Sequence, residues 1–240
     1  MVQSIRLDCR QYPVNHPELI EDKALRTAAD RVFEALQDAI VRGEIPAGSR
    51  VGETELAERY GTSRGPLREA LRRLESRRLV ERTPHVGIRI AALGHEALIE
   101  LYYLREALEG MAARLAALHM TAEEVAGLKA LLAAHEEDEA LKADTAYFQQ
   151  EGDFDFHYRV IQGSHNGSLT ELLIGELYHR IRMYRYQYSA YANRPRKALA
   201  EHQRIVEAIE ARDGDLAEML MRRHISSARQ NIEKHLKENA

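Results

Sequence analysis

Four side chains in the second half of the chain have the types and spacing expected of metal ligands. Asp153 and His157 lie four residues apart, so on one helix they project from the same face and could share a cation. A carboxylate–imidazole pair that only stabilises a helix is the alternative for these two. His202 and His224 each lie within an apolar helical pattern, and a buried imidazole without a partner is costly. If these helices pack side by side, one carboxylate and three imidazoles converge.

The elements that must position these residues are predicted to be helices. Between Pro84 and Pro195 the chain contains no proline. Apolar residues in this stretch recur three and four positions apart, as in Leu98, Leu101 and Leu104. Thr121 and Glu124 form a capping-box pattern at the start of one segment. The pattern predicts six helices, at about 95–118, 121–142, 144–163, 168–191, 195–212 and 215–238. We therefore expect a mainly α protein with an all-α bundle of about six helices after residue 93.

The amino-terminal half has a different pattern. A helix from about Leu25 to Val41 is predicted first, and a short helix over Glu53–Tyr60 is followed by a turn with Gly61 and by an arginine-rich helix over 64–78. A short helix, a three-residue turn with glycine and a second helix are the dimensions of a helix-turn-helix. The segment 79–90 predicts two short strands, which would form a wing. Residues 1–22 are expected to be a flexible arm, residues 23–93 a winged helix-turn-helix domain, and residues 94–240 a helical sensor domain.

Charge is divided unevenly between the two halves. The chain has a net charge of -4, yet residues 25–93 contain 13 Arg, no Lys and 10 acidic residues, a local +3. Arginine suits phosphate and guanine recognition because its planar guanidinium donates two parallel hydrogen bonds. An ordinary solvated helix face is the alternative from charge alone. Together with the turn and the wing, the arginine cluster favours a DNA-binding surface.

The start of the arginine-rich helix is the part expected to contact DNA. Arg64 and Arg68 lie on one face near its N-terminus, where a recognition helix contacts base edges or nearby phosphates. Backbone phosphate contacts are expected from the turn and from the wing tip, at Thr62, Ser63, His85 and Gly87.

The same residues carry a family resemblance. The run from Ala35 to Ile90 resembles the winged helix-turn-helix domain of the GntR superfamily of bacterial transcription regulators. Its pattern appears here as Leu56-Ala57, Gly61, Ser63-Arg64-Gly65-Pro66-Leu67-Arg68-Glu69-Ala70-Leu71 and Leu74 to Val80. Two positions depart from that pattern: Gly65 replaces a usual Thr, and Arg78 replaces a usual Gly.

Residues 95–240 resemble the helical FCD ligand-binding domain of the FadR and VanR branch. The markers are Leu104-Arg105-x-Ala107-Leu108-Glu109, Asp153-x-x-Phe156-His157, Asn166 followed by Leu169, Glu201-His202-x-x-Ile205, and His224. The resemblance implies that Asp153, His157, His202 and His224 bind a divalent metal ion, zinc first, with nickel, manganese or iron as alternatives. It also implies that Arg105 pairs with a small carboxylate effector. A helix-surface salt bridge with Glu109 is the alternative for Arg105.

Asn166 is expected either to face the effector or to cap the fourth helix. The resemblance further implies a homodimer that binds double-stranded operator DNA, without catalytic residues, and that acts as a repressor controlled by the bound acid. Two alternatives remain open: a metal-dependent enzyme acting on a small carboxylate, and a regulator whose metal is purely structural. Composition adds that one cysteine in 240 residues permits no intrachain disulfide, and no apolar run reaches membrane-spanning length. We therefore expect a cytoplasmic protein that does not contact a membrane.

Overall fold

A computed structural model describes residues 27–83, 87–92, 94–144, 147, 149, 152–189 and 195–238. The predicted arm, residues 1–22, and the wing-tip residue His85 lie outside these ranges. The chain divides into two compact units. The first extends to residue 92 and also includes residues 182–184, and the second comprises residues 93–181 with 185–240.

The first unit is a winged helix-turn-helix, as predicted. Its elements are α1 (Ala28–Val41), β1 (Arg50–Val51), α2 (Glu53–Arg59), α3 (Arg64–Ser76), β2 (Val80–Thr83) and β3 (Gly87–Ile90). The strands form an antiparallel sheet in the order β1-β3-β2, with Arg82 opposite Ile88 and Arg50 opposite Arg89. The two wing strands were predicted, whereas β1 was not, because two residues are too short for an alternating pattern to show.

A small apolar core holds α3 in place. Leu67, Leu71 and Leu74 on one face of α3 are buried, and they pack with α1, whose Phe33 and Leu36 are also buried. The spacing of the leucines puts them on the face opposite the arginine side chains. The core therefore fixes which face of α3 is left exposed.

The second unit is all-helical, as predicted. Its elements are α4 (His95–His119), α5 (Ala122–Glu136), α6 (Glu139–Lys142), a 3-10 turn (Gly152–Phe154), α7 (Phe156–Gly163), α8 (Gly167–Thr170), a π-helical segment (Glu171–Leu177), α9 (Tyr178–Ser189), α10 (Pro195–Glu210) and α11 (Gly214–Glu238). The predicted capping box of Thr121 and Glu124 is present at the start of α5.

One predicted helix, 144–163, is wrong over its first half. The helix begins only at Phe156, because Asp155 is its N-cap and its carboxylate accepts from the backbone N–H groups of His157 and Tyr158. Gly152 has a φ of +67°, a left-handed conformation that a helix does not contain. Asp153 therefore lies in the 3-10 turn ahead of α7, and it does not share a helix face with His157.

Candidate metal centre and nucleic-acid interface

Three of the four predicted metal ligands come together in the second unit. His157 on α7, His202 on α10 and His224 on α11 each offer a ring nitrogen, and these atoms all lie within 4.8 Å of one another. The Nε2 atoms of His202 and His224 are 3.1 Å apart. All three side chains are buried. His202 also stacks on Phe156, with ring centroids 4.0 Å apart.

Each of the three imidazoles contacts a polar side chain through its Nδ1 atom. His157 Nδ1 lies 2.5 Å from Glu109 Oε2, and His224 Nδ1 lies 2.7 Å from Glu201 Oε2. A carboxylate only accepts hydrogen bonds, so both rings donate from Nδ1. The third ring, His202, has its Nδ1 3.2 Å from the hydroxyl of Tyr147.

The charge states of these groups follow from burial. Burial lowers the pKa of His157 to about 4 and, with help from the neighbouring imidazoles, lowers the pKa of His202 well below its usual value. Burial alone would raise the pKa of Glu109, but Arg105 and His157 outweigh it and hold that pKa low. At neutral pH the imidazoles of His157 and His202 are therefore neutral, and the carboxylate of Glu109 is ionised. A neutral ring that donates from Nδ1 has a lone pair on Nε2, so Nε2 of His157 can bind a cation. His224 can do the same in its neutral form, since its Nδ1 donates to Glu201.

Asp153, the fourth predicted ligand, does not join the three histidines. Its side chain is exposed, and its backbone carbonyl accepts from Arg159 Nε at 2.7 Å. The prediction placed it on the helix of His157, and that helix starts three residues later. Asp155, two residues after Asp153, is buried instead, and its carboxylate lies 2.8 Å from Arg185 Nη1 of α9. Burial opposes its ionisation, but Arg185 and His157 lower the pKa of Asp155.

Arg105 and Asn166 are found in contacts that the sequence had left open. Arg105 is 2% exposed, and its Nε donates to Glu109 Oε1 at 2.8 Å. The predicted alternative for Arg105 was a surface salt bridge; the same pair exists but is buried. Its guanidinium also lies over the ring of Tyr102, 4.8 Å from the centroid. Asn166 caps α8, since its side chain accepts from the backbone N–H of Leu169.

Four of the predicted DNA-contacting residues, Thr62, Ser63, Arg64 and Arg68, lie around the start of α3. Arg64 is the first residue of that helix and is exposed, and within the described ranges no acidic side chain pairs with it. Arg68 is exposed too, yet its Nε donates to Glu53 at 2.9 Å. Ser63 occupies the N-cap position without a side-chain cap hydrogen bond, so its hydroxyl remains available to a phosphate. Gly87, at the start of β3, has a φ of +101°, which requires glycine there.

The two departures from the family pattern have different structural consequences. Gly65 lies in the exposed first turn of α3, and a Cβ added to it would meet no atom within 4 Å. Arg78 has a φ of +54° in the turn between α3 and β2, a conformation that glycine adopts at no steric cost. The usual glycine at that position therefore has a backbone reason, and Arg78 is strained.

Sequence reasoning missed the groups that orient the imidazoles. Glu109 was seen only as a partner for Arg105, and Glu201 only as a neighbour of His202. Tyr147 links two histidines, because its hydroxyl is 2.9 Å from His135 Nδ1 as well as 3.2 Å from His202 Nδ1. Glu109 carried a usable signal, since a charged residue four positions after Arg105 in an apolar helix must be paired if it is buried. Tyr147 carried none.

Comparisons with known proteins agree with both halves of the molecule. Residues 28–90 match the family described as bacterial regulatory proteins, gntR family, and residues 100–227 match the FCD domain. A probable D-xylose utilization operon transcriptional repressor of Paenarthrobacter nicotinovorans is 35% identical, over 84% of this chain and 87% of that protein. The HTH-type transcriptional repressor RspR of Escherichia coli K12 is 26% identical, over 88% of this chain and 91% of that protein.

The fold is also found among solved structures. Escherichia coli McbR/YncC superposes with a TM-score of 0.67 at 23% identity, covering 90% of this chain and all of that one. Among the described residues, no helix combines the length and apolar character needed to cross a membrane. The family models and the relatives are those of transcriptional regulators and not of enzymes, which removes the enzyme alternative. The chain belongs to the GntR family of bacterial transcriptional regulators and carries an FCD domain.

Proposed function

We propose that this regulator is a homodimeric repressor whose affinity for its operator changes when a small carboxylate binds beside a divalent cation held by His157, His202 and His224. The observation that carries the proposal is the convergence of three buried imidazoles within 4.8 Å, each in contact through Nδ1 with a polar partner. Metal-bound histidines are oriented in this way, since a carboxylate behind the ring fixes the tautomer and raises its basicity.

The residues fit a cation well. Tetrahedral zinc with bonds of about 2.1 Å holds its ligand nitrogens about 3.4 Å apart, which lies within the range of separations here. In the metal-free chain, the 3.1 Å contact between the rings of His202 and His224 requires a proton on one Nε2. When His224 is neutral and donates from Nδ1 to Glu201, that proton belongs to Nε2 of His202. Transfer of this proton from Nε2 to Nδ1 would keep the ring neutral, free the third Nε2 lone pair and let Nδ1 donate to the hydroxyl of Tyr147.

The charge balance of the site favours an anionic effector. Arg105 is balanced by Glu109 and Arg185 by Asp155, His224 pairs with Glu201, and the imidazoles of His157 and His202 are neutral. A bound divalent cation would supply uncompensated positive charge and coordination positions beyond its three histidine ligands. A carboxylate would neutralise part of that charge, and Arg105 is the buried arginine that we assign to it, in partial exchange for Glu109.

A stripe on α4 supports the homodimer. Leu104, Met111 and Leu118 are 42%, 40% and 56% exposed, and Leu108 and Leu115 between them are only partly buried. Their alternating spacing of four and three residues is that of a coiled-coil seam. In a symmetric dimer the stripe of one protomer packs against the same stripe of its partner, so both copies of this apolar helix face are buried. Met111→Lys should then dissociate the dimer in sedimentation experiments, whereas Glu100→Lys, at an exposed position of the same helix, should not.

A dimer would present two copies of the recognition helix α3 to DNA. Two copies of α3 would enter successive major grooves of a pseudo-palindromic operator, about one helical turn apart. Arg64 and Arg68 would contact bases or nearby phosphates, and Thr62, Ser63, Gly87 and His85 would contact the backbone. The names of two relatives, both repressors, support repression as the sign of regulation.

Elemental analysis of tag-free protein tests the metal site. We expect about one divalent ion per chain in the wild type and none in His202→Ala. His95→Ala, at the exposed start of α4, is the matched control and should keep the ion. His202→Gln is the second variant, because it fills the buried space that alanine leaves. A metal-free wild type would refute the site.

The structural-metal alternative makes a different prediction. If the ion only holds the bundle together, chelation will unfold the second unit, and no carboxylic acid will change operator affinity. A thermal-shift screen of small carboxylic acids, with and without chelator, separates the two cases, since a ligand of the native state raises the melting temperature. The proposal requires at least one acid whose effect disappears with the chelator.

A further inference from the structure

A single carboxylate links the recognition helix to the wing. Glu53, the first residue of α2, accepts from Arg68 Nε of α3 at 2.9 Å and from Arg82 Nη1 of β2 at 3.2 Å. The side chain of Glu53 is 23% exposed, while those of Arg68 and Arg82 are 54% and 42% exposed. Arg82 Nε also lies 3.9 Å from Glu75 Oε2, a looser contact.

Glu53 is ionised when DNA is encountered. The hydrogen bond from Arg68 lowers the pKa of Glu53, partial burial opposes it, and the hydrogen bond from Arg82 lowers it further. The position at the N-terminus of α2 adds a favourable dipole interaction for a negative charge. Two of the arginines on the DNA-facing side of the unit are therefore already paired within the protein, unlike Arg64.

We propose that Glu53 is a specificity-determining residue, which withholds Arg68 and Arg82 from DNA that lacks the operator sequence. Affinity for arbitrary DNA depends on how many phosphates the protein neutralises, and each arginine that must first leave Glu53 contributes less to that affinity. An operator presents base-edge acceptors that bind a guanidinium in a defined geometry, and it can therefore compete with Glu53 for Arg68. The carboxylate thus lowers non-specific affinity more than operator affinity.

This inference rests on the proposed DNA-binding role, and the experiment keeps the two apart. A preferred duplex is first selected from a random pool with the full-length wild-type protein. Fluorescence anisotropy then measures affinity for that duplex and for a scrambled duplex across a salt series. If the wild type prefers no selected sequence over the scrambled one, the proposed function fails, whatever Glu53 does.

The decisive variant is Glu53→Gln, which keeps the size of the side chain, removes its charge and leaves one acceptor oxygen for the two arginines. We expect its affinity for scrambled DNA to rise about 3- to 10-fold at low salt, with a salt slope steeper by about one to two, because one or two further phosphates are neutralised. Operator affinity should rise less, so the specificity ratio falls. The matched control is Glu58→Gln, an exposed position on the same helix, which changes the net charge equally.

Three results for Glu53→Gln would overturn the inference. They are an unchanged affinity for scrambled DNA, an equal rise in affinity for both duplexes, and a loss of affinity for both duplexes. The last result would mean that Glu53 only supports the fold. An equal gain in Glu58→Gln would assign the effect to net charge and would also overturn it. If Glu53→Gln does not fold, Glu53→Asp replaces it. Its carboxylate is set back by one methylene group, so its effects should have the same sign and be smaller.

Discussion

Replacing Glu201 by alanine tests whether the carboxylate behind His224 tunes a metal ligand. Glu201 Oε2 lies 2.7 Å from His224 Nδ1, and its side chain is 19% exposed. Loss of such an outer partner costs about 10- to 100-fold in metal affinity. Because solvent partly screens this carboxylate, we expect about 10- to 30-fold, or about 1.4 to 2 kcal/mol. The loss arises because the ring of His224 becomes less basic and less firmly oriented.

Competition with a fluorescent zinc chelator at neutral pH measures the change. The matched control is Glu207→Ala, an exposed glutamate on the same helix, which should leave zinc affinity within twofold of the wild type. Thermal melting of the metal-free proteins shows whether the fold is retained. A zinc affinity for Glu201→Ala within twofold of the wild type, in a folded protein, would refute the reasoning that Glu201 supports a metal-binding histidine.

Three further predictions concern the DNA-facing helix, a strained turn and the buried imidazoles. Arg64→Ala should lower operator affinity about 10- to 100-fold in gel-shift titrations and reduce the salt slope by about one; unchanged values would contradict the recognition-helix assignment. Arg78→Gly should raise the free energy of unfolding by about 0.5 to 1 kcal/mol, because glycine adopts the left-handed backbone at this position without strain. Arg72→Gly, within α3, should lower the free energy of unfolding by about 1 kcal/mol. Urea titrations that rank the two variants in the opposite order would refute the strain assigned to Arg78. In the metal-free protein, the free energy of unfolding should fall by at least about 2 kcal/mol between pH 6.5 and pH 4.5. The reason is that the pKa of His157 is about 6.5 in the unfolded chain and about 4 in the folded chain, so the unfolded chain takes up a proton first as the pH falls. A calorimetric profile that is flat over this pH range would contradict a buried neutral imidazole at His157.

The fold could be predicted from the sequence because its signals are local and repeated. The apolar spacing of α4 and the turn at Gly61 needed only near neighbours along the chain. The start of α7 was predicted wrongly because the features that set it are a backbone conformation and a cap, neither of which shows in the apolar spacing. Residues 152–155 contain helix-compatible side chains, and only the left-handed backbone at Gly152 and the cap formed by Asp155 show that the helix begins at Phe156.

The candidate site was predictable in part. His157, His202 and His224 were identified from their places in apolar patterns and from the family resemblance, and the structure brings all three together. The error at Asp153 follows directly from the misplaced helix start, since four residues equal one turn only within a helix. The contacts of Glu201 and Tyr147 with histidines depend on packing between helices distant in sequence, which spacing along one helix does not reveal.

The measurement that tests the central claim most directly is the operator affinity of the wild type and of His202→Gln, each with and without the stabilising carboxylic acid. Fluorescence anisotropy on the selected duplex reports the four dissociation constants. The account predicts that the acid weakens wild-type binding about 5- to 150-fold, the range of typical allosteric coupling, and leaves His202→Gln unchanged. A response of equal size in the variant, or none in the wild type, would contradict control of DNA binding through the three-histidine site.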